Sequence, residues 1–229
     1  MHRISVRPEI VQRVLARRGR VDWFDRLDAA RTALLVIDMQ TAFCAPGAPA
    51  EVPLARAIVP AINELSAALR ALGIPVIWVL HANTSRDGRS DWDLFFNHVV
   101  GDGVRERTLA ALAPGQQTIW HELQVGAEDY TVIKNRYSAL IAGSSQLERL
   151  LRSLGIDTVL IAGTKTNVCC ESTARDAMML DFKTVMVSDC CAALSDEEHR
   201  AALENIFQQF GDVLTAAETL KKLAASGNT

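Results

Sequence analysis

Residues 158–187 read TVLIAGTKTNVCCESTARDAMMLDFKTVMV, and this stretch decides the fold. Two short apolar runs, Thr158–Ala162 and Thr184–Val187, flank a segment from about Asn167 to Leu180 that reads as helix. Apolar runs of this length without alternation are what strands buried on both faces require. A helix between two of them predicts neighbouring parallel strands joined by a crossover.

Working outward, the pattern repeats. Ala33–Ile37 (ALLVI), Pro75–Leu80 (PVIWVL) and Thr131–Ile133 read as earlier strands, and Val213–Leu214 as a short last one. Ala57–Leu72 has helical periodicity, and Gly73 stands where such a helix would end. Ser144 or Ser145 opens a helix to about Leu154, with Gly155 after it. Ser195 opens another, where SDEE supplies a capping box with Glu198, and the last helix starts after Thr215. A long polar stretch from His81 to about Gly103 carries Trp92, Phe95 and Phe96. Alternation of this kind implies a parallel sheet with helices on both faces. No repeat, low-complexity tract or linker interrupts it, so residues 29–229 read as one domain. Residues 1–28 precede it as an arm, with Ile10, Val11, Val14 and Leu15 at helical spacing. Such an arm is expected to pack on the domain or on a neighbouring subunit. A mitochondrial presequence is the rival reading, which Pro8 and Glu9 fit poorly.

The bulk numbers exclude several classes. A chain of 229 residues buries roughly 70–75% of its unfolded surface and needs no staple or metal for stability. A net charge of -3 gives no footprint for nucleic acid. No apolar run approaches the ~20 residues of a membrane span. The five cysteines are Cys44, Cys169, Cys170, Cys190 and Cys191. An odd count, adjacent pairs and the lack of a secretory signal predict reduced thiols and a cytoplasmic location. No CxxC or Cys/His ligand spacing is present, so a structural zinc is not expected.

Open parallel sheets bind ligands beyond the carboxyl ends of their strands, which singles out reactive residues placed there. Asp38 follows the first strand (LLVID), Lys134 follows the third (TVIK), and Cys169 opens the helix after the fourth. A thiol at a helix start and near an ammonium is expected to have its pKa lowered to roughly 3.5–7.5, giving thiolate at neutral pH. Asp38 can accept the thiol proton and pass it to a leaving nitrogen, with Lys134 holding Asp38 ionised. Backbone N–H groups at the helix start face a developing oxyanion. Taken singly, each residue has an ordinary structural reading: a helix cap for Asp38, a solvated charge for Lys134, a small core residue for Cys169. For Cys170, Cys190 and Cys191 the core reading stands. Convergence at one sheet edge is what lifts the other three.

The stretches ALLVIDMQTAF, VIKNRYSAL and IAGTKTNVCCESTARDAMMLDF together resemble the isochorismatase-like cysteine hydrolase superfamily, over roughly residues 30–215. That group includes nicotinamidases, N-carbamoylsarcosine amidases, maleamate amidases and ureidoacrylate amidohydrolases. The resemblance implies a three-layer α/β/α, Rossmann-like fold with a six-stranded, mainly parallel sheet, assembled as a homodimer or homotetramer. It places the catalytic Asp, Lys and Cys on Asp38, Lys134 and Cys169. It also implies a cis Thr164–Lys165 bond, with the Lys165 and Cys169 N–H groups forming the oxyanion hole. Nicotinamidases bind a divalent metal through an Asp-x-His and further histidines. Here the segment after Asp38 is MQTAFCAPGAPAEVP, without Asp or His, and His81 reads as a hydrogen-bonding residue. No metal and no cofactor is therefore expected. KNRYSAL and TNVCCEST look closest to ureidoacrylate-type amidohydrolases, which implies a linear amide or carbamoyl (ureido) substrate. A lactam or nicotinamide-like amide is the alternative, and a thiol redox protein built on the cysteine pairs is the rival from another class. Phe43, Trp92, Tyr137 and Asn167 are expected to line the substrate pocket, with Phe96 beside them in a loop placed to act as a lid. Arg136 pairs either with a substrate carboxylate or with a structural Asp.

Overall fold

Strands with no polar face must be covered on both sides, and in the computed structural model helices do this. The structure describes residue 2 and residues 6–225, so positions 1 and 3–5 of the expected arm lie outside the described residues. In chain order the elements are α1 (Pro8–Arg18), β1 (Thr32–Ile37), α2 (Thr41–Cys44), α3 (Val59–Ala71), β2 (Val76–His81), β3 (Ser85–Arg86) and β4 (Arg89–Ser90). They continue with α4 (Asp102–Ala111), β5 (Tyr130–Lys134), α5 (Leu147–Ser153), β6 (Thr158–Thr164), α6 (Glu171–Met179), β7 (Lys183–Ala192), α7 (Asp196–Gln209), β8 (Asp212–Leu214) and α8 (Ala216–Ala224). The main sheet has six strands in the order β5-β2-β1-β6-β7-β8, all parallel. The strand order reverses direction between β1 and β6, and a crevice opens at such a switch point beyond the carboxyl ends.

All residues of β1, β2 and β6 are buried. Each fully buried aliphatic side chain there contributes roughly 1.5–3 kcal/mol. Alternate residues feed two separate cores. Leu34, Val36, Trp78 and Leu160 pack under α3 and α8, while Leu35, Ile37, Ile77 and Ile161 pack under α6 and α7. Asp129, just before β5, ties that edge strand down: its carboxylate accepts from Arg70 Nη2 and Trp78 Nε1, both at 2.7 Å. The arm lies on the domain itself, where Ile10 and Val14 pack against Phe207 of α7 and Arg7 reaches the Glu204 carboxylate at 2.7 Å.

Several boundaries differ from the sequence reading, each for a local reason. Residues Thr166–Cys170 form a π-helical turn, and the α-helix begins only at Glu171. Strand β7 runs on to Ala192 through a register shift opposite β6, pairing Cys191 with Gly163. Neither serine is the cap of α5: Gln146 holds that position without a side-chain bond, and Ser145 before it accepts from Leu147 N. At α7 only half of the expected box forms: Ser195 accepts from Glu198 N, but Glu198 turns back to Leu194 N. The reciprocal box is at α8, between Thr215 and Glu218. The polar stretch after β2 folds into the β3–β4 hairpin and a π-helical turn over Asp93–Val99.

Gly163 lets β6 lie against β1. Its φ is 114°, and a Cβ there would stand 2.0 Å from the Ile37 carbonyl oxygen. The carboxyl ends of the two central strands therefore meet backbone to backbone, with Asp38 as the next residue.

Candidate active site

Asp38 directly follows β1 with φ 54°, a left-handed conformation that Asp tolerates better than most residues. Its N–H still donates to Val79 O at 2.8 Å, so the kink falls just past the ladder. Lys134 is the last residue of β5 and pairs in register with His81, the last of β2. Cys169 lies in the π-helical turn after β6, and the Thr164–Lys165 bond before that turn is cis. Adjacent strand ends thus deliver all four side chains to one spot. Asp38 and Lys134 are 0% exposed, His81 3% and Cys169 5%.

Lys134 Nζ lies 2.9 Å from Asp38 Oδ2, 3.0 Å from His81 Nδ1 and 3.1 Å from the Arg136 carbonyl oxygen. The contact with Asp38 is a close ion pair, and among the described residues neither Asp38 carboxylate oxygen has a well-formed hydrogen bond. A buried carboxylate with an unfilled oxygen is costly, by about 1–3 kcal/mol or more, unless a donor arrives to use it. Burial raises the Asp38 carboxyl above its ordinary range, against the opposing pull of Lys134. Burial by itself lowers the Lys134 ammonium, but Asp38 and the Cys169 sulfur together outweigh it and raise the lysine above its ordinary value.

Burial, reinforced by the Asp38 charge, pushes the Cys169 thiol up. This corrects the expected neutral-pH thiolate. The thiol is not exposed at the start of an α-helix; it is enclosed in a π-helical turn, where desolvation exceeds the help from Lys134. Asp38 and Cys169 are thus two acids that burial raises together, side by side with one lysine.

Above Cys169 lies a cavity of about 340 Å³, the size of small-molecule sites, roughly 300–1,000 Å³. Phe43, Trp92, Phe95, Phe96 and Tyr137 form its aromatic wall, and Lys165, Val168 and His81 complete its base. Trp92 is the hub of that wall, with ring centroids 4.7 Å from Tyr137, 5.0 Å from Phe95 and 6.0 Å from His81. Asn167 is not among the lining residues. The π-helical turn presents Val168 instead and leaves Asn167 Oδ1 buried without a partner. Arg136 pairs with no Asp carboxylate among the described residues: it donates to the Asn135 and Asp91 carbonyl oxygens and lies over Trp92 at 5.2 Å. Phe95 and Val168 were not among the expected lining residues, because π-helical spacing has no apolar periodicity of its own to read.

Asp38, His81 and Cys169 offer three ligand atoms within 4.8 Å of one another. The Lys134 ammonium, hydrogen-bonded or ion-paired to two of them, already stands in the cation's place. This donor set does not fit a divalent ion beside a charged lysine.

The turn bearing Cys169 is braced from α7, where Thr166 Oγ1 lies 2.7 Å from His199 Nδ1. Burial first, then His2, pushes His199 down to about 3. An unfolded histidine titrates near ~6.5, so between these values the unfolded state binds a proton that the folded state refuses. Stability is therefore expected to fall as pH drops below about 6.5 and to keep falling towards 3. Thermal melts of His199→Gln should lose that part of the slope, though its stability at pH 7 is lower.

Fold and site together define the class, an isochorismatase-like α/β architecture with its polar cluster at the β1–β6 switch point. The chain belongs to the isochorismatase family, whose domain matches residues 32–218. The probable inactive nicotinamidase At3g16190 of Arabidopsis thaliana is 36% identical over 177 residues, 74% of this chain and 85% of its own length. The ureidoacrylate amidohydrolase RutB of Methylobacterium radiotolerans is 30% identical over 214 residues, 83% of this chain and 79% of its own. The crystal structure of a cysteine hydrolase from Pseudomonas syringae pv. phaseolicola matches with a TM-score of 0.74 at 29% identity, covering 90% of this chain and 97% of that one. Among the described residues no helix is long and apolar enough to cross a membrane.

Proposed function

We propose that the protein is a metal-independent cysteine amidohydrolase that opens a C–N bond of a small linear amide or carbamoyl (ureido) compound. The observation that carries the reading is the buried convergence of Asp38, Lys134 and Cys169 at the base of a small-molecule cavity. The RutB relative, named as a ureidoacrylate amidohydrolase, supports the substrate class.

The reaction follows from the charges. Asp38 takes the thiol proton as Cys169 Sγ attacks the carbonyl carbon, and Lys134 stabilises the negative charge as it moves from carboxylate to sulfur. The raised carboxyl makes this transfer less uphill, because a stronger base meets a weak acid. The carbonyl oxygen becomes an oxyanion held by the Lys165 and Cys169 N–H groups, each such donor worth roughly 10²–10³ in rate. The C–N bond then breaks, Asp38 protonates the departing nitrogen, and a thioester remains on Cys169. Water adds to that thioester, giving its proton to Asp38; the C–S bond breaks and the proton returns to sulfur.

A ring amide is the second reading, and the flat aromatic wall of Phe43, Trp92, Phe95 and Tyr137 favours it. The redox rival finds no accessible thiol pair: Cys170, Cys190 and Cys191 are buried, and burial pushes Cys170 and Cys190 up. The test is ammonia release over ureido acids, linear amides, lactams and nicotinamide, with and without chelator. Turnover of a ureido or linear amide unaffected by chelator is the expected result. Turnover confined to nicotinamide and abolished by chelator would overturn it. With the turned-over amide, Trp92→Ala should raise KM roughly tenfold and leave kcat within a few-fold, because the ring packs on substrate and touches no reacting atom.

A further inference from the structure

One chain of buried hydrogen bonds reaches Lys134 from the cavity wall, and its donors and acceptors can be assigned without ambiguity. Asn83 Nδ2 lies 2.8 Å from Asp91 Oδ1 and 3.2 Å from the Asn135 carbonyl oxygen. A carboxylate and a carbonyl only accept, so the amide nitrogen must face them and Asn83 Oδ1 must face His81. Oδ1 lies 2.8 Å from His81 Nε2, which therefore carries a proton. Burial and the neighbouring Lys134 hold His81 neutral, well below the ordinary histidine range. Its Nδ1 is then a bare lone pair, and Lys134 Nζ donates to it at 3.0 Å.

The lysine has three N–H bonds and three nearby acceptors: His81 Nδ1, the Arg136 carbonyl oxygen and Asp38 Oδ2. The first two do not change charge during the proposed reaction. The third does, since the negative charge leaves Asp38 for Cys169 Sγ when the thiol proton moves. We infer that His81 is a positioning residue for Lys134: locked as its Nε2–H tautomer by Asn83, it fixes one ammonium N–H so that another is shared between Asp38 and the sulfur. This rests on the proposed roles of Asp38, Lys134 and Cys169. Without the His81 acceptor Nζ loses one of its two fixed neutral contacts, and the ammonium can shift away from the sulfur when the thiolate forms. The same chain links chemistry to binding. Asp91 immediately precedes Trp92, whose ring stacks on His81 with 16° between planes, so the cavity wall and the lysine share one support.

The titratable groups that face Cys169 or line its cavity are Asp38 after β1, His81 of β2, Lys134 of β5, Tyr137, Lys165 and Glu51. Glu51 is engaged by Arg56 at 2.8 Å and by the Gly47 N–H at 2.7 Å. The experiment compares His81→Leu, His81→Asn and Asn83→Ala with wild type. His81→Leu should lower kcat roughly 10²-fold with KM within about threefold, and His81→Asn, whose Oδ1 falls near the Nδ1 position, should recover about tenfold of that loss. Two readouts need no substrate. The pH profile of Cys169 alkylation by iodoacetamide should move to higher pH in His81→Leu and Asn83→Ala, and ¹⁵N-edited spectra of wild type should give a neutral Nε2–H tautomer for His81 at pH 7. An Nδ1–H tautomer or an imidazolium at that pH would overturn the inference, as would an unshifted alkylation profile in Asn83→Ala, or equal kcat values for the leucine and asparagine variants. Should every amide tested fail as a substrate, the alkylation and tautomer results still decide the role of His81, while the proposed reaction alone falls.

Discussion

Replacing Cys169 by alanine is expected to lower turnover of the correct amide by roughly 10⁴–10⁶, the scale at which loss of a nucleophile outweighs every other single change. The residue is buried and small, so alanine removes one sulfur from the base of the cavity and leaves the surrounding aromatic wall in place. Thermal stability should change by less than about 2 kcal/mol, as for other modest core truncations. Serine should rescue little, because its hydroxyl is a weaker acid than the thiol and Asp38 would be asked to remove a more tightly held proton. The double variant Cys169→Ala, Asp38→Asn should be no slower than Cys169→Ala alone, since the base has no work without the thiol. Full turnover by Cys169→Ala in ammonia-release assays would end the proposal of covalent catalysis at this residue.

Gly163→Ala is expected to cost more than about 4 kcal/mol of stability, the range reached only when a substitution forces backbone apart. The new Cβ would stand 2.0 Å from Ile37 O and 2.7 Å from Ile37 N, and its φ of 114° is unfavourable for any L side chain. Neither neighbour is a flexible side-chain tip. Relief requires β1 and β6 to separate where they pair Ile37 with Gly163. That movement also displaces Asp38 on one strand and the Cys169 turn on the other, so surviving protein should be inactive. Gly103 supplies the control: it lies within α4 with nothing within 4 Å of a built Cβ. Gly103→Ala should stabilise the protein by about 0.5–1 kcal/mol through helix propensity. Denaturant unfolding of the two variants side by side measures both effects.

Much of this arrangement was legible in residue order because the relevant signals are local. Continuous apolar runs such as ALLVI and PVIWVL can only be satisfied between two layers, and they named every strand of the main sheet. Asp38 and Lys134 directly follow such runs, so the rule about carboxyl ends located them before any contact was known. The π-helical turns around Cys169 and over Asp93–Val99 were not legible, because a five-residue hydrogen-bond spacing leaves no distinct apolar period. For that reason Asn167 was expected in the cavity, which in fact receives Val168. His81 was read as a hydrogen-bonding residue, but its partner Lys134 is 53 residues away and is reached only through the β2–β5 register.

By itself, then, the sequence determined a parallel α/β sheet and the chemical types at its carboxyl edge, since burial pattern and strand ends are properties of short segments. Tertiary structure decided the direction in which the acidities of those groups move. Enclosure of Cys169, Asp38 and Lys134 in one dry site raises the thiol instead of lowering it, and no spacing along the chain reports how much water a fold removes.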